Sequence, residues 1–181
     1  PRDVLGPWVF DHDLDEAVTI LAGIKARAGA GASVEYAPGV RVHQRVFASM
    51  FDDMDHGVAA TPEGFDDDAE LARAVEVAAA AQVAVVVVGQ NQNLIGEKAS
   101  ASTLELPGRQ LELLAKVVAT GTPTVVLVMS GRPLDLRWAA ENAPAILQVW
   151  YPGTRGGDAV ASALFGDVVP GGKLPFTWPR T

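Results

Sequence analysis

The sequence predicts an α/β fold, a three-layer sandwich whose mostly parallel, flavodoxin-like sheet is covered by helices on both faces. Three apolar runs support this prediction, at positions 83–88, 124–129 and 145–150, and the first of them is mostly β-branched. Runs without polar alternation are typical of strands buried on both faces of a parallel sheet. Segments with helical spacing of apolar residues separate the runs, which is the strand–helix–strand order of such sheets.

The composition limits the class of protein. The chain has 181 residues, enough for one sizeable core, and no repeat or low-complexity linker divides it, so residues 1–181 are predicted to form a single domain. It has no cysteine, which excludes thiol chemistry, disulfides and Cys-based zinc sites. The net charge of −8 argues against nucleic acid as a partner, because phosphate binding needs a basic surface. No apolar run is long enough to span a membrane, so no membrane partner is expected.

The start of the chain fits a segment from a longer protein, and removal of an initiator Met is the alternative. Residues 1–12 are rich in Pro, Gly and large apolar groups, and we interpret them as a linker packed on the domain surface. Residues 1–15 lack the basic start and apolar run of a signal peptide, and the chain begins at Pro1 without Met. The cellular compartment is left open.

The first helix and strand are predicted from local signals. Asp13 is a candidate helix cap, with Glu16 as its capping-box partner. The helical spacing then involves Ala17, Ile20, Leu21, Ile24 and Ala28. Residues 33–36 alternate in polarity and predict a short strand that ends before Pro38.

Residues 40–66 predict an irregular surface insertion. They contain His43, His56 and three aspartates, Asp52, Asp53 and Asp55. A metal site formed by His56 and these carboxylates is the alternative. No His-x-His or His-Glu-x-x-His spacing supports it, so no metal ligand is assigned.

Downstream helices are predicted by their caps and apolar faces. Residues 66–68 cap a helix that continues to about residue 81, and residues 109–120 form the next. The predicted inward faces are Leu71, Ala74, Val75 and Ala78 in the first helix, and Leu111, Leu114, Val117 and Val118 in the second. Residues 134–141 predict a turn or short helix, residues 158–165 an amphipathic helix, and residues 174–178 an extended piece.

The loop after the first buried strand is the predicted functional site. Open α/β sheets place ligand chemistry in loops that leave the carboxyl ends of central strands. Between residues 90 and 103 the loop carries one carboxylate, Glu97. A carboxylic acid can serve as general acid/base when a reacting group comes within hydrogen-bond reach. The alternative is an ordinary solvated side chain.

Other chemistries have weaker support in the sequence. Ser130 lies in Met-Ser-Gly-Arg rather than in a nucleophile elbow. Residues 153–157 precede a helix whose N-terminus could bind an anion, but their spacing fits no nucleotide motif and Asp158 would repel phosphate. Trp150 and Tyr151 fit either packing at a strand end or a surface on which a sugar stacks.

Eight short segments, in this order, resemble the second, α/β-sandwich domain of glycoside hydrolase family 3, the β-glucosidase and β-xylosidase family. They are residues 2–8 (RDVLGPW), 34–39 (VEYAPG), 104–110 (LELPGRQ), 130–133 (SGRP), 150–153 (WYPG), 164–167 (LFGD), 170–175 (PGGKLP) and 177–179 (TWP). The resemblance covers essentially the whole chain, and residues 40–65 are its loosest part.

The resemblance implies a retaining, exo-acting β-glycosidase of two domains that acts without a cofactor on a β-linked oligosaccharide or glycoside. An N-terminal TIM barrel of the same polypeptide would carry the Asp nucleophile. Counting back from residues 104–107, Glu97 falls where many members carry the general acid/base. Gln90 and Ser100 are then expected to bind substrate.

Two departures from the family pattern affect this loop. Members often carry an Arg four residues after the Glu, whereas this chain has Ala101, so a cation that could orient the loop is missing. Some members place the acid directly after the strand, where this chain has Gln90, and an amide cannot donate a proton as an acid does. Two alternatives therefore stay open. One is a degenerate domain that only completes the sugar pocket, and the other is a stand-alone flavodoxin-like domain with a ligand over the loops after Val88 and Met129.

Overall fold

Helices and strands alternate along the chain in a computed structural model that describes residues 1–9, 11–45, 61–97 and 99–179. The helices of this part are α1 (Arg2–Leu5), α2 (Ile20–Ala28), α3 (Asp67–Ala80), α4 (Gln110–Val118), α5 (Arg137–Asn142) and α6 (Gly156–Leu164). The strands are β1 (Ala84–Gly89), β2 (Thr124–Met129) and β3 (Ala145–Gln148). They form a sheet in the order β1-β2-β3, and both pairings are parallel. The predicted α/β class is confirmed.

The central strand β2 separates two apolar cores. Val126 and Val128 pack on one side with Leu71 of α3 and the face of α4. Leu127 points the other way, into a second core with residues of α2 and α6 such as Val160. Successive side chains of a strand point to opposite faces, so one apolar run serves both cores. Helices on both faces confirm the predicted three layers.

Helices α2 and α6 approach closely at two glycines. A Cβ added to Gly23 would lie 2.1 Å from the carbonyl oxygen of Gly157. A Cβ added to Gly157 would lie 2.1 Å from the carbonyl oxygen of Thr19. The Gly157 N–H also donates to the carbonyl of Val18 at 3.0 Å. The lack of a side chain at both positions therefore allows backbone to pack on backbone.

Helix α2 begins later than predicted. Asp13 accepts a hydrogen bond from the N–H of Asp15 at 3.0 Å, but it caps only a single 3₁₀ turn. Thr19 is the N-cap of α2, accepting from the N–H of Ala22 at 3.1 Å. The prediction from Asp13 was wrong because the N–H of Val18 donates to a distant carbonyl, that of residue 154, at 2.8 Å. This bond connects the segment before α2 to the turn before α6.

Several strand predictions overstated order or burial. Residues 33–36 belong to no strand in the described part of the chain, and the carbonyl of Tyr36 accepts from Arg73 instead, at 2.9 Å. Val87 of β1 is 43% exposed, and β3 has an exposed Ala145 followed by half-buried residues. These two strands are the outer ones of the described sheet, where helices cover less of each face.

The chain end packs through aromatic rings rather than in a strand. Residues 174–178, predicted to be an extended piece, belong to no described strand. The rings of Trp150 and Phe176 meet edge to face at 5.5 Å, and Trp178 stacks on Phe176 at 5.9 Å. The indole N–H of Trp178 donates to the carbonyl of Leu134 at 2.7 Å. The chain end is therefore attached to the loop after β2.

The inward face of α4 differs from the predicted one at Leu111. That residue is 45% exposed, whereas Leu113 is 7% exposed and faces Gly39. The side chain of Gln110 is bound to the backbone of Gly89, and this bond fixes how the helix is rotated about its axis. Leu114 and Val117 are buried, as predicted.

Most of the predicted insertion at residues 40–66 cannot be compared with the sequence prediction. Residues 46–60, which include His56 and the carboxylates of the alternative metal site, lie outside the described residues. In the described flanks, the N–H of Val42 donates to Thr61 Oγ1 at 3.0 Å. Within the described part of the chain, no helix is long and apolar enough to cross a membrane.

Helix α3 matches its prediction and depends on its cap. Asp66 Oδ1 accepts from the N–H groups of Asp68 and Ala69, each at 3.0 Å. Asp66→Ala should lower the free energy of unfolding by about 1 kcal/mol, because two helix-terminal donors lose their acceptor. Urea unfolding followed by tryptophan fluorescence measures this. Glu76→Ala, on the exposed side of the same helix, is the control and should change it by less than about 0.5 kcal/mol. Equal effects of the two substitutions would contradict the assigned cap.

Candidate functional site

The candidate site begins where β1 ends, at Gly89. Its φ is 133°, and an added Cβ would lie 2.0 Å from the carbonyl oxygen of Met129. The side-chain oxygen of Gln110 accepts from the N–H of Gly89 at 2.6 Å, and the Gln110 amide donates to its carbonyl at 2.8 Å. The N–H of Gln90 donates to Met129 at 2.9 Å. The direction in which the loop leaves the sheet is therefore fixed by backbone bonds.

A guanidinium group from the neighbouring loop binds the far part of this loop. Arg132 follows β2, and its Nη1 donates to the carbonyl of Leu94 at 2.8 Å and to Gln90 Oε1 at 3.2 Å. Its Nη2 donates to the carbonyl of Ala99. These two carbonyls lie on either side of Glu97 in the chain. A guanidinium suits this arrangement because its donors form a rigid planar fork.

The buried Asp3 and the partly buried Tyr151 hold the near part of the loop. Asp3 of α1 accepts from the N–H of Gln92 at 2.9 Å. The hydroxyl of Tyr151 donates to the carbonyl of Gln90 at 2.9 Å. Burial raises the pKa of the Tyr151 hydroxyl, so the group stays a hydrogen-bond donor in alkaline solution as well. Trp150, with φ of 54°, turns the chain immediately before Tyr151.

The segment at residues 43–45 is hydrogen-bonded to the same loop at Asn91 and Asn93. Asn91 Nδ2 donates to the carbonyl of His43 at 3.1 Å. The N–H of Arg45 donates to Asn93 Oδ1 at 3.0 Å. Residues 90–93 are thus bound by four other segments of the chain, at Asp3, residues 43–45, residues 129–132 and Tyr151.

Glu97 itself lies in an exposed turn that follows Gly96. Beside this turn is a cleft of about 210 Å³, lined by Pro7, Ile95, Gly96, Gly131, Arg132 and Tyr151. The turn therefore presents its carboxylate to solvent at the carboxyl end of the sheet. A carboxylate in that position is open to a ligand arriving from outside this domain.

The other two predicted site residues are placed differently. Gln90 is 5% exposed, and its side-chain oxygen accepts a hydrogen bond from Arg132. Ser100 is exposed and follows Ala99. The structure brings Gln90 and the Glu97 turn together through one guanidinium. Substrate binding by Gln90 and Ser100 stays a prediction.

Some competing predictions have an alternative structural explanation. Ser130 is fully buried, and its hydroxyl donates to the carbonyl of Arg132 at 2.8 Å. Trp150 packs against the aromatic rings of the chain end, and the Tyr151 hydroxyl is bound to the carbonyl of Gln90. Among the described residues, no three or more His, Asp or Glu side chains gather as possible metal ligands.

The sequence prediction missed the side chains that hold this loop. Asp3, Gln110, Arg132 and Tyr151 each lie inside a segment singled out for its family resemblance, at residues 2–8, 104–110, 130–133 and 150–153. The resemblance therefore marked these four residues, but it did not indicate that they bind the loop. The cation missing at Ala101 has a counterpart at Arg132, which reaches the loop from the next strand.

Comparisons with known proteins agree on one family. The sequence pattern described as "Glycosyl hydrolase family 3 C-terminal domain" matches residues 2–181. A periplasmic beta-glucosidase of Salmonella typhimurium is 38% identical over 181 residues, which is 99% of this chain and 23% of the relative. A beta-xylosidase of Formosa agariphila is 37% identical over 90% of this chain and 20% of the relative.

Solved structures give the same result. A beta-glucosidase from Listeria innocua in complex with gluconolactone has a TM-score of 0.76 and 26% identity, over 99% of this chain and 22% of that chain. A beta-glucosidase from Kluyveromyces marxianus in complex with glucose has a TM-score of 0.63 and 38% identity, over 67% of this chain and 14% of that chain. The chain thus spans less than a quarter of the relatives described here.

Proposed function

Because this chain belongs to the family of glycosyl hydrolase family 3 C-terminal domains, we propose that it forms one wall of the sugar pocket in a retaining, exo-acting β-glycosidase and supplies Glu97 as general acid/base. The similar proteins named above are beta-glucosidases and a beta-xylosidase. The proposed substrate is accordingly a β-linked glycoside or oligosaccharide. An N-terminal TIM barrel of the same polypeptide and its Asp nucleophile are part of the same proposal.

The observation that carries the proposal is the placement of Glu97. Its carboxylate is exposed, at the carboxyl end of a parallel strand, in a turn whose two flanks are bound to Arg132. Open α/β sheets bind ligands at this end. Proton transfer requires the acid within hydrogen-bond reach of the reacting oxygen, so a defined turn is better suited to it than a free one.

In the proposed reaction Glu97 acts twice. As an acid it gives its proton to the glycosidic oxygen while the barrel Asp attacks the anomeric carbon. The bond to the leaving group breaks and a glycosyl ester forms. As a carboxylate Glu97 then takes a proton from water, which attacks the ester and releases the sugar with its configuration retained. This scheme needs the two carboxyl groups roughly 5–5.5 Å apart.

Glu97→Ala in the full-length enzyme tests this function. For phenyl β-glucoside, whose leaving group needs a proton, we expect kcat/KM to fall by about 10²–10⁴-fold. For 2,4-dinitrophenyl β-glucoside, whose phenolate leaves unaided, kcat/KM should stay within about threefold. Its kcat should fall, because no base activates water, and azide should restore turnover as the β-glucosyl azide. Initial rates and product analysis measure all of these.

Glu105→Ala is the matched control, because Glu105 is also exposed and lies on the same loop beyond Ala99. It should leave both substrates and the azide response unchanged. If Glu97→Ala keeps the wild-type rate for phenyl β-glucoside, Glu97 is an ordinary loop residue. The domain would then only complete the sugar pocket, and the acid would come from another part of the enzyme.

A further inference from the structure

The loop with Glu97 is bound in two parts by different groups. Asp3 and Tyr151 bind backbone groups of residues 90 and 92, close to the end of β1. Arg132 binds the carbonyls of Leu94 and Ala99, which flank Glu97. The backbone on both sides of the carboxylate is therefore held by Arg132, whereas the backbone at the start of the loop is held by Asp3 and Tyr151.

We infer that Arg132 is a positioning residue, which places the Glu97 carboxylate for proton transfer by holding the backbone on both sides of it. The inference rests on the proposed function of Glu97 and adds to it a second residue. Arg132 acts through the turn, because its donors are bound to loop acceptors: two carbonyls and the side-chain oxygen of Gln90.

The loop that carries Arg132 is itself well anchored. The carbonyl of Arg132 accepts from Ser130 Oγ at 2.8 Å and from the N–H of Leu134 at 3.0 Å. Gln148 Nε2 of β3 donates to the carbonyl of Ser130 at 3.1 Å. Trp178 holds the carbonyl of Leu134. Because these bonds hold the backbone of the Arg132 loop, the Arg132 guanidinium can keep the turn with Glu97 in a defined position.

The chemistry of arginine explains why another cation would serve less well. One planar guanidinium offers several donors at once, here to three acceptors. A lysine ammonium is a compact charge on a flexible stem and cannot reproduce this fork. Arg132→Lys should therefore keep the charge and lose part of the positioning.

The test uses the full-length enzyme with Arg132→Ala and Arg132→Lys and the same two aryl β-glucosides. For phenyl β-glucoside, Arg132→Ala should lower kcat/KM by about 10- to 100-fold, since a misplacement of about 1 Å has such a cost. For 2,4-dinitrophenyl β-glucoside kcat/KM should stay within about threefold. Arg132→Lys should lie between wild type and Arg132→Ala. Arg155→Ala, which removes an exposed cation paired with Asp158, is the control and should match wild type.

A double substitution separates positioning from a general loss of structure. If Arg132 acts through Glu97, adding Arg132→Ala to Glu97→Ala should lower kcat/KM for phenyl β-glucoside by less than about threefold more. Hydrogen exchange of backbone amides at residues 94–97 should be faster in Arg132→Lys, with β2 unchanged. The Lys variant decides the question if the Ala variant does not fold.

The two proposals fail in different ways. If Glu97→Ala shows no dependence on the leaving group, the proposed function fails, whatever Arg132 does. If Glu97→Ala behaves as expected but the Arg132 variants slow both substrates equally, Arg132 is not a positioning residue. Additive effects in the double variant, or unchanged exchange at residues 94–97, would overturn the inference as well.

Discussion

Gly157→Ala is expected to lower the free energy of unfolding by about 3 kcal/mol, because it forces a methyl group into a packed backbone contact. The new Cβ would lie 2.1 Å from the carbonyl oxygen of Thr19, and its neighbours there are backbone atoms. Backbone cannot rotate away as a side chain can, so α6 must move away from α2. That movement would also lengthen the bond from the Gly157 N–H to Val18 and open the core around Leu127. Urea unfolding followed by tryptophan fluorescence measures the change.

Gly31→Ala is the matched control for this prediction. It makes the same chemical change just after α2, at a position where an added Cβ meets nothing within 4 Å. Its effect should be smaller than about 0.5 kcal/mol. If Gly157→Ala is as mild as Gly31→Ala, the close packing of α2 on α6 does not limit stability.

Gln110→Ala is expected to lower the free energy of unfolding by about 2–6 kcal/mol. The substitution removes one partner from each of two buried groups, the N–H and the carbonyl of Gly89, and each such loss costs about 1–3 kcal/mol. At a pH low enough to protonate its carboxyl, Gln110→Glu should have a smaller effect, because the carboxyl oxygen still accepts from the N–H of Gly89 and its hydroxyl donates to the carbonyl. Urea unfolding of the three proteins at that pH gives the order wild type, Glu variant, Ala variant.

Gln82→Ala controls for the loss of a glutamine as such. Gln82 is exposed just before β1, and its removal should change the free energy of unfolding by less than about 0.5 kcal/mol. A stability of Gln110→Ala equal to that of Gln82→Ala would mean that water replaces the amide at Gly89. The order expected for the Glu and Ala variants would then disappear as well.

The sequence predicted the three strands of the sheet well and their burial poorly. The apolar runs of β1, β2 and β3 look alike, yet β2 alone of these three lies between two neighbours. Burial therefore depends on strand order, which a run of Val and Ile does not encode. Val87 and Ala145 are exposed for this reason.

Local signals failed where a distant contact competed with them. Asp13 has the residue type of a helix cap, but the bond from Val18 to the turn before α6 delays the helix until Thr19 becomes the cap. Leu111 has the right spacing for a core position, but the attachment of Gln110 to Gly89 turns Leu113 inward instead. Both errors arise from contacts between segments far apart in the sequence.

The candidate site was predicted only in part. Glu97 was singled out as the one carboxylate of its loop, and its role was inferred from the family resemblance. The structure places Glu97 in an exposed turn, and its role stays a prediction. Arg132 was not found, because its contact with the loop requires knowing that β1 and β2 are parallel neighbours. Loops after neighbouring parallel strands lie at the same edge of the sheet, so the observed order of β1 and β2 brings the Glu97 loop and Arg132 together.

Arg132 donates to backbone carbonyl oxygens, which every residue has whatever its side chain. Substitutions between positions 94 and 99 leave these backbone acceptors in place. Deletion of one residue would shorten the segment between the two carbonyls and break their hydrogen bonds to Arg132. Over evolutionary time this loop can therefore accept point substitutions more readily than deletions. Selection for new ligand preferences could therefore change the side chains of this loop, while Arg132 in the loop after β2 continues to hold its backbone.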